Sequence, residues 1–474
     1  MEAIRLLNLL VDNCERSLIY INRGDLFMQM IGAAQMDTHW LWSQNAFLEA
    51  WSQLLYSIAE ENPSTENALL ENPTLGHSLI RITIYIARKM SESSDKTDYV
   101  HLCRCVLNLL NTMSSGGVLG DNFMNNMQCE EFIKTVKPCI EVPCNIDPIS
   151  LLLQLREAIQ QETLFRQRSG GQSSDNESIE DCANKTKELR KDLDKQLKLV
   201  SAALETLCNI SIPKDETSLT PIRMMEKYQF LHIVGGLLQR ILNGLSSLDA
   251  TTAYQGIRFV KSAWERSFDC LNNMVQNFNL ADQPTVQQLW DMCMTSLKLS
   301  MQTSVQEEAA NVMDQCTVFA GTLFDCAREN EVNVSVADTH IDIIFQLSDL
   351  LLKSTNPGKF EEALSVLPHL LGGLVKVKNE ATMATRVSNE LDRYYNFSSL
   401  KVAAEVCDAL FDIFGDDSYN DVYYSSNWQA KCQHMGTVLT QAINNSNGDD
   451  PEAMERFEDV CNNLSRFLEY KNGS

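Results

Sequence analysis

Leu54-Leu55-Tyr56-Ser57-Ile58-Ala59-Glu60-Glu61-Asn62 and Thr322-Leu323-Phe324-Asp325-Cys326-Ala327-Arg328-Glu329-Asn330 are two copies of one degenerate pattern. Each keeps a leucine, a small or apolar position, polar positions in helical alternation and an asparagine seven residues after that leucine. Related endings run from Leu9 to Asn13, Leu109 to Asn111, Leu207 to Asn209, Leu271 to Asn277 and Leu374 to Asn379. With Leu9, Leu55, Leu109, Leu207, Leu271, Leu323, Leu374 and Leu410 as anchors, the intervals are 46, 54, 98, 64, 52, 51 and 36 residues. A recurring helix of this kind cannot bury its apolar face alone, so its neighbours must stack on it.

Most of these intervals approximate, somewhat stretched, the ~40–47-residue unit of armadillo and HEAT repeats. Strand signals are nearly absent, and helical stretches end at breaks such as Glu61-Asn62-Pro63-Ser64 and Asn356-Pro357-Gly358. The expected fold is therefore all-α: an armadillo/HEAT-repeat right-handed superhelical solenoid. The 98-residue interval marks an insertion. Within it, Ser169 to Asp181 holds four acids (Asp175, Glu177, Glu180, Asp181), no base and almost no apolar residue. Such a segment buries too little surface to fold, so residues 166–188 are expected to be an acidic flexible loop. That loop separates armadillo-like repeats over 1–165 from HEAT-like repeats over 189–474. Helix is expected again from Leu189, with Leu193, Leu197, Val200, Leu204 and Leu207 on one face.

Charge gathers at the other end. In the helix Leu400 to Phe414, the residues Val402, Val406, Ala409, Leu410 and Ile413 make one apolar face. From Gly415 to Trp428, Asp416, Asp417, Tyr419, Asp421, Tyr423 and Tyr424 are expected to crowd one exposed loop suited to holding a basic partner. Residues 405–459 carry twelve acids against two bases, far denser than the whole-chain net charge of −24. This acidity argues against direct nucleic-acid binding, because phosphate is repelled, and favours a strongly basic protein partner.

Other chemistry is missing. No stretch reaches the ~18 apolar residues of a membrane span, so no membrane partner is expected. Fifteen cysteines fall singly in apolar helical stretches, as free thiols do in a reducing compartment. His101-x-Cys103-x-Cys105 splays around a helix and cannot converge on one ion, so no metal is expected. Glycine-rich phosphate loops and nucleophile elbows are absent. His39, between Asp37 and the pair Trp40 and Trp42, reads as a packed inter-repeat loop. A binding protein without a cofactor is expected rather than an enzyme.

With these features together, the chain resembles the symportin family. The likeness rests on Ala3-Ile4-Arg5-Leu6-Leu7-Asn8-Leu9-Leu10 followed by Gly24-Asp25-Leu26, on residues 46–63 and on residues 196–210. It is most specific at Asp408-Ala409-Leu410-Phe411-Asp412-Ile413-Phe414-Gly415-Asp416 with the Tyr/Asp turn, and at Asn463-Leu464-Ser465-Arg466-Phe467-Leu468-Glu469-Tyr470-Lys471. Symportins are repeat adaptors that co-import the two ribosomal proteins partnering 5S ribosomal RNA. The resemblance implies basic ribosomal proteins of the 5S particle as cargo, an importin as second partner, and residence in cytoplasm and nucleus. It also implies further repeats and a basic import signal ahead of Met1. By analogy the acidic loop (Asp175, Glu177, Glu180, Asp181) holds one cargo and the concave armadillo face another. The alternative is a generic helical-repeat scaffold for complex assembly or trafficking, taking peptides in its groove.

Overall fold

Short polar side chains start the helices that the apolar spacing demands. Ser399 accepts a hydrogen bond from the Val402 amide at the head of one helix, Asp282 from Thr285 at another, and Asn125 with Gln128 closes a reciprocal capping box. The computed structural model describes residues 29–31, 45–59, 69, 71–115, 118–119, 123–168, 176–213, 219–302, 306–354, 357–396, 399–415, 417–445 and 451–473. Among them there is no strand, and no helix is long and apolar enough to cross a membrane.

The chain divides into two compact units, residues 1–279 and 280–474. The first contains α1 (Asn45–Ala59), α2 (Pro73–Glu92), α3 (Lys96–Ser115), α4 (Asn126–Cys144), α5 (Pro148–Arg168), α6 (Asn176–Ile210), α7 (Leu219–Lys227), α8 (Phe230–Ser246) and α9 (Ala250–Asn277). The second contains α10 (Gln283–Ser300), α11 (Ala310–Glu329), α12 (Asp338–Leu352), α13 (Glu361–Lys378), α14 (Ala381–Tyr395), α15 (Leu400–Phe414), α16 (Asn420–Ser425), α17 (Trp428–Asn445) and α18 (Pro451–Gly473).

One layer of each unit is a ladder of helices packed directly on one another. In the first unit α1 packs on α3, α3 on α6 and α6 on α9; in the second α11 packs on α13 and α13 on α15. The anchor leucines occupy these ladder helices and no others: Leu55, Leu109, Leu207 and Leu271 in the first unit, Leu323, Leu374 and Leu410 in the second. None is more than 1 % exposed. The repeat register read from the leucines is thus the register of the ladder, and the all-α repeat fold is as expected. Leu9 lies outside the described residues.

Ladder helices approach closely because small residues line the contact. A Cβ on Gly321 would collide with Val366 and one on Gly373 with the Phe324 ring, while one on Gly372 would rest in ordinary contact with the Ala409 backbone. Close packing is therefore the reason for Gly321 inside α11 and Gly373 inside α13.

Two local expectations are corrected. The described part of residues 166–188 is helical: α5 runs to Arg168 and α6 starts at Asn176. The insertion is therefore a helical hairpin, α5 packed on α6 within the first unit, and Asp175 lies outside the described residues. Helix wins because α6 is one continuous amphipathic run, burying Thr186, Leu193, Leu199, Val200, Ala203, Leu204 and Leu207. Its exposed side is supported by i,i+4 pairs such as Lys198–Asp194 at 2.8 Å. The C-terminal turn is likewise no open loop. It folds into α16, and Tyr423 and Trp428 are fully buried: Tyr423 lies 5.6 Å from the Phe467 ring of α18, and Trp428 packs on α14, donating to Ser388 at 2.8 Å and meeting the Tyr395 ring edge-on.

Leu374→Ala removes an anchor from the middle of the second ladder. It is expected to destabilise the protein by about 2–5 kcal/mol, whereas Val377→Ala, at a site 43 % exposed, stays within about 0.5 kcal/mol. Urea unfolding of the two variants checks the contrast.

Candidate functional site

The acidic, aromatic turn after α15 is built around a lysine from the end of the chain. Lys471, on the last turn of α18, is 2 % exposed. Its Nζ donates to Asn420 Oδ1 at 2.6 Å and lies 3.6 Å from Asp417 Oδ1. The ammonium also stands 5.1 Å from the Tyr470 ring centre, 5.7 Å from Tyr423 and 6.0 Å from Phe467. Charged lysine is almost never fully buried without a partner; here a carboxylate, an amide oxygen and aromatic faces serve together.

The same residues brace one another. Asn420 and Tyr470 both donate to Asp417, at 2.8 and 3.2 Å, and Tyr424 donates to the Lys471 carbonyl at 2.8 Å. Asn420 first, then Tyr470 and Lys471, hold the Asp417 carboxyl below the usual range. Tyr419 turns away and donates to Asn379 at 2.9 Å, the left-handed residue that ends α13. Chemically the turn recognises a primary ammonium, and its ammonium is supplied in cis.

The remaining sequence-predicted residues are dispersed. Asp421 is exposed on the first turn of α16, and Asp416 lies outside the described residues. Glu177 belongs to the first turn of α6, and Glu180 and Asp181 follow it, exposed. Acids suit that position, where the helix dipole is positive. Elsewhere in the C-terminal block the carboxylates fall into two sets. Arg456 pairs with Asp408 and with Glu405, the latter at 3.2 Å. Asp412 takes Lys376 at 2.7 Å and Arg328 at 3.7 Å. Burial pushes the Glu405 carboxyl up, against the pull of Arg456. By contrast Asp421, Glu455, Glu458 and Asp459 are exposed and have no ion pair among the described residues. The last three share one face of α18, at i, i+3 and i+4.

A second polar feature, which the sequence reading missed, runs along the ladders. Two residues past six of the eight anchor leucines the chain places Asn111, Asn209 and Asn273 in the first unit and Asp325, Lys376 and Asp412 in the second. These positions bridge neighbouring helices. Asn209 donates to Asn111 at 3.1 Å and Asn273 to the Cys208 carbonyl at 3.3 Å. Glu205 of α6 accepts from Tyr56 of α1 and Arg266 of α9, at 3.2 and 2.7 Å. In the second unit His369 of α13 sits between two helices. It meets Asp325 of α11 at 2.6 Å and comes 4.0 Å from Asp412 of α15. The signal was present in the sequence: aligning the repeats on their leucines lines up these polar positions.

Elsewhere, an open groove of about 670 Å³ between α12 and α14 is lined by Asp342, Phe345, Asp349 and Arg386. Its charges are already paired, Arg386 with Asp342 at 3.2 Å and lying over the Phe345 ring at 3.9 Å. His101, Cys103 and Cys105 turn to separate partners, namely Glu49, the Cys139 carbonyl and the Leu48 carbonyl. His39, Trp40 and Trp42 lie outside the described residues.

Ladder packing and paired polar seams define an all-α helical-repeat protein. Residues 248–474 match the family model described as SYO1-like, TPR repeats; SYO1 is the symportin, so the resemblance read at the C-terminal block is borne out over that span. No curated protein matches the chain. Among solved structures, one titled "Crystal structure of Uso1-2" is 11% identical, covering 99% of this chain and 81% of that one, with a TM-score of 0.26. A second, the SYS-1/POP-1 complex, is 9% identical, covering 99% of this chain and 94% of that one, with a TM-score of 0.27. At those scores neither carries an argument.

His369 yields a pH dependence. Its hydrogen bond to Asp325, aided by the charges of Asp325 and Asp412, raises its affinity for a proton, while burial and Arg328 oppose the rise. A raised folded-state value means the stabilisation is complete below the ordinary imidazole value of about 6.5. It is lost as pH rises through the raised value. The thermal midpoint is expected to fall as pH rises above about 6.5, and this slope to shrink in His369→Gln.

Proposed function

We propose that this chain is a non-enzymatic nuclear import adaptor and chaperone for the basic large-subunit ribosomal proteins that bind 5S ribosomal RNA. In this reading it works with an importin between cytoplasm and nucleus. The observation that carries the reading is the SYO1-like match over residues 248–474. The charge pattern supports it, since a net charge of −24 draws a basic chain by long-range attraction. Ribosomal proteins are rich in lysine and arginine and partly unfolded away from RNA, so an acidic surface shields them until delivery.

The contacts are assigned to carboxylates not already neutralised in cis. In the second unit these are Asp421 with Glu455, Glu458 and Asp459, with Asp416 adjoining in sequence. In the first they are Glu180 and Asp181 on α6, with Asp175 and Glu177 preceding them. Asp417 and Tyr419 keep the turn in shape, through Lys471 and Asn379.

Capture of the two purified 5S-binding ribosomal proteins, measured at low and high salt, tests the reading. Binding is expected to weaken steeply as salt rises. Reversing Asp421, Glu455 and Glu458 to Lys together is expected to weaken it on the order of tenfold, with the melting temperature retained. Absence of capture at low salt would overturn the reading; salt-insensitive capture would favour the generic peptide scaffold.

A further inference from the structure

Among the described residues several cysteine pairs meet across helices: Cys103 lies against Cys139, and two further pairs bring their sulfurs close together. Cys208 of α6 and Cys270 of α9 bring their sulfurs to 2.9 Å, and Cys293 of α10 and Cys316 of α11 to 3.2 Å. A disulfide needs the sulfurs at about 2.05 Å, so in both pairs a small movement separates two thiols from a bond. What distinguishes the pairs is access. Cys293 and Cys316 are fully buried, each thiol donating to the other residue's carbonyl at 3.2 and 3.3 Å. Cys208 is partly exposed, whereas Cys270 behind it is fully buried and donates to the Leu204 carbonyl at 3.0 Å.

Cys208 lies on the seam beside Arg266, its thiol 4.0 Å from the Arg266 carbonyl, and the Arg266 guanidinium is itself held by Glu205 at 2.7 Å. Burial raises the Cys270 thiol well above its ordinary value, so Cys270 is inert until a partner sulfur is activated beside it. One exposed sulfur next to one shielded sulfur is the arrangement of an attacking and a resolving cysteine.

We propose that Cys208 and Cys270 form a reversible disulfide site driven by hydroperoxide, which staples α6 to α9, while Cys293 and Cys316 stay reduced. The Cys208 thiolate attacks one peroxide oxygen; the O–O bond breaks, hydroxide leaves, and Cys208 becomes a sulfenic acid. The Cys270 sulfur then displaces that hydroxyl as water, forming the S–S bond. The two thiols lose two electrons and two protons, and one hydrogen peroxide becomes two waters. Thiol–disulfide exchange with a small dithiol reverses the bond. The staple falls on a seam already joined by Arg266 to Glu205, Asn273 to the Cys208 carbonyl and Asn277 to the Ser211 carbonyl. Oxidation therefore fixes the register of two ladder helices covalently.

The test treats the reduced full-length chain with hydrogen peroxide at a few equivalents. The remaining thiols are then alkylated in denaturant and the peptides mapped by mass without reduction. The expected result is a Cys208–Cys270 cross-linked peptide and the loss of two alkylatable thiols per chain, restored by dithiothreitol, with Cys293 and Cys316 fully alkylated. In Cys270→Ser, Cys208 is expected to stall as a sulfenic acid that dimedone traps; in Cys208→Ser, Cys270 is expected to remain alkylatable. The proposal is overturned if the wild-type chain keeps both thiols free, if Cys208 passes to sulfinic acid with Cys270 untouched, if the links join separate chains, or if Cys293–Cys316 forms as readily.

Discussion

Each ladder helix buries its anchor leucine only because the next helix of the ladder covers it. Leu109 of α3 is sealed between α1 and α6, and Leu374 of α13 between α11 and α15. A single helix of this composition leaves its apolar stripe in water, and burying such a side chain is worth about 1.5–3 kcal/mol. Stability is therefore shared along the stack rather than held by any one helix. Small residues are the condition for that sharing. Gly321 and Gly373 let α11 and α13 approach until Val366 and the Phe324 ring fill the space a Cβ would take.

Close approach also decides the electrostatics. Once the leucines are in register, the positions two residues further on must face each other across the seam. In the first unit they are asparagines, which bridge helices without charge. In the second they alternate as Asp325, Lys376 and Asp412, with His369 inserted between the two aspartates. A repeat that fixes packing thus fixes a line of polar contacts too, and a cation on one helix is placed to serve an acid on its neighbour.

The ladder was legible in the sequence because one residue type, leucine, marks it at an interval that survives drift. The polar line was equally legible but needed the repeats aligned first; taken singly, His369 was one of several scattered histidines. The first turns of α6 were not legible. Glu177, Glu180 and Asp181 read as disorder by composition, yet the helix they begin has a long apolar stripe to bury, and its N-terminus welcomes acids. Lys471 was hidden for a different reason. Its partners Asp417, Asn420 and Tyr423 lie roughly fifty residues back, and burying a lysine contradicts every local rule until the aromatic faces around it are in place.

That hidden lysine changes what the acidic C-terminus means. Counted along the chain, residues 405–459 carry twelve acids and two bases, and the block reads as a bare negative surface. Counted in space, Arg328 of α11, Lys376 of α13 and Lys471 at the end of α18 all come from outside that window to meet Asp412 or Asp417. A window of sequence samples only one helix of each seam, so it overstates the field wherever a repeat pairs acids with bases on the neighbour. Among the described residues, Asp421 on α16 and Glu455, Glu458 and Asp459 on α18 are the carboxylates of this block that the stacking leaves exposed and without an ion pair.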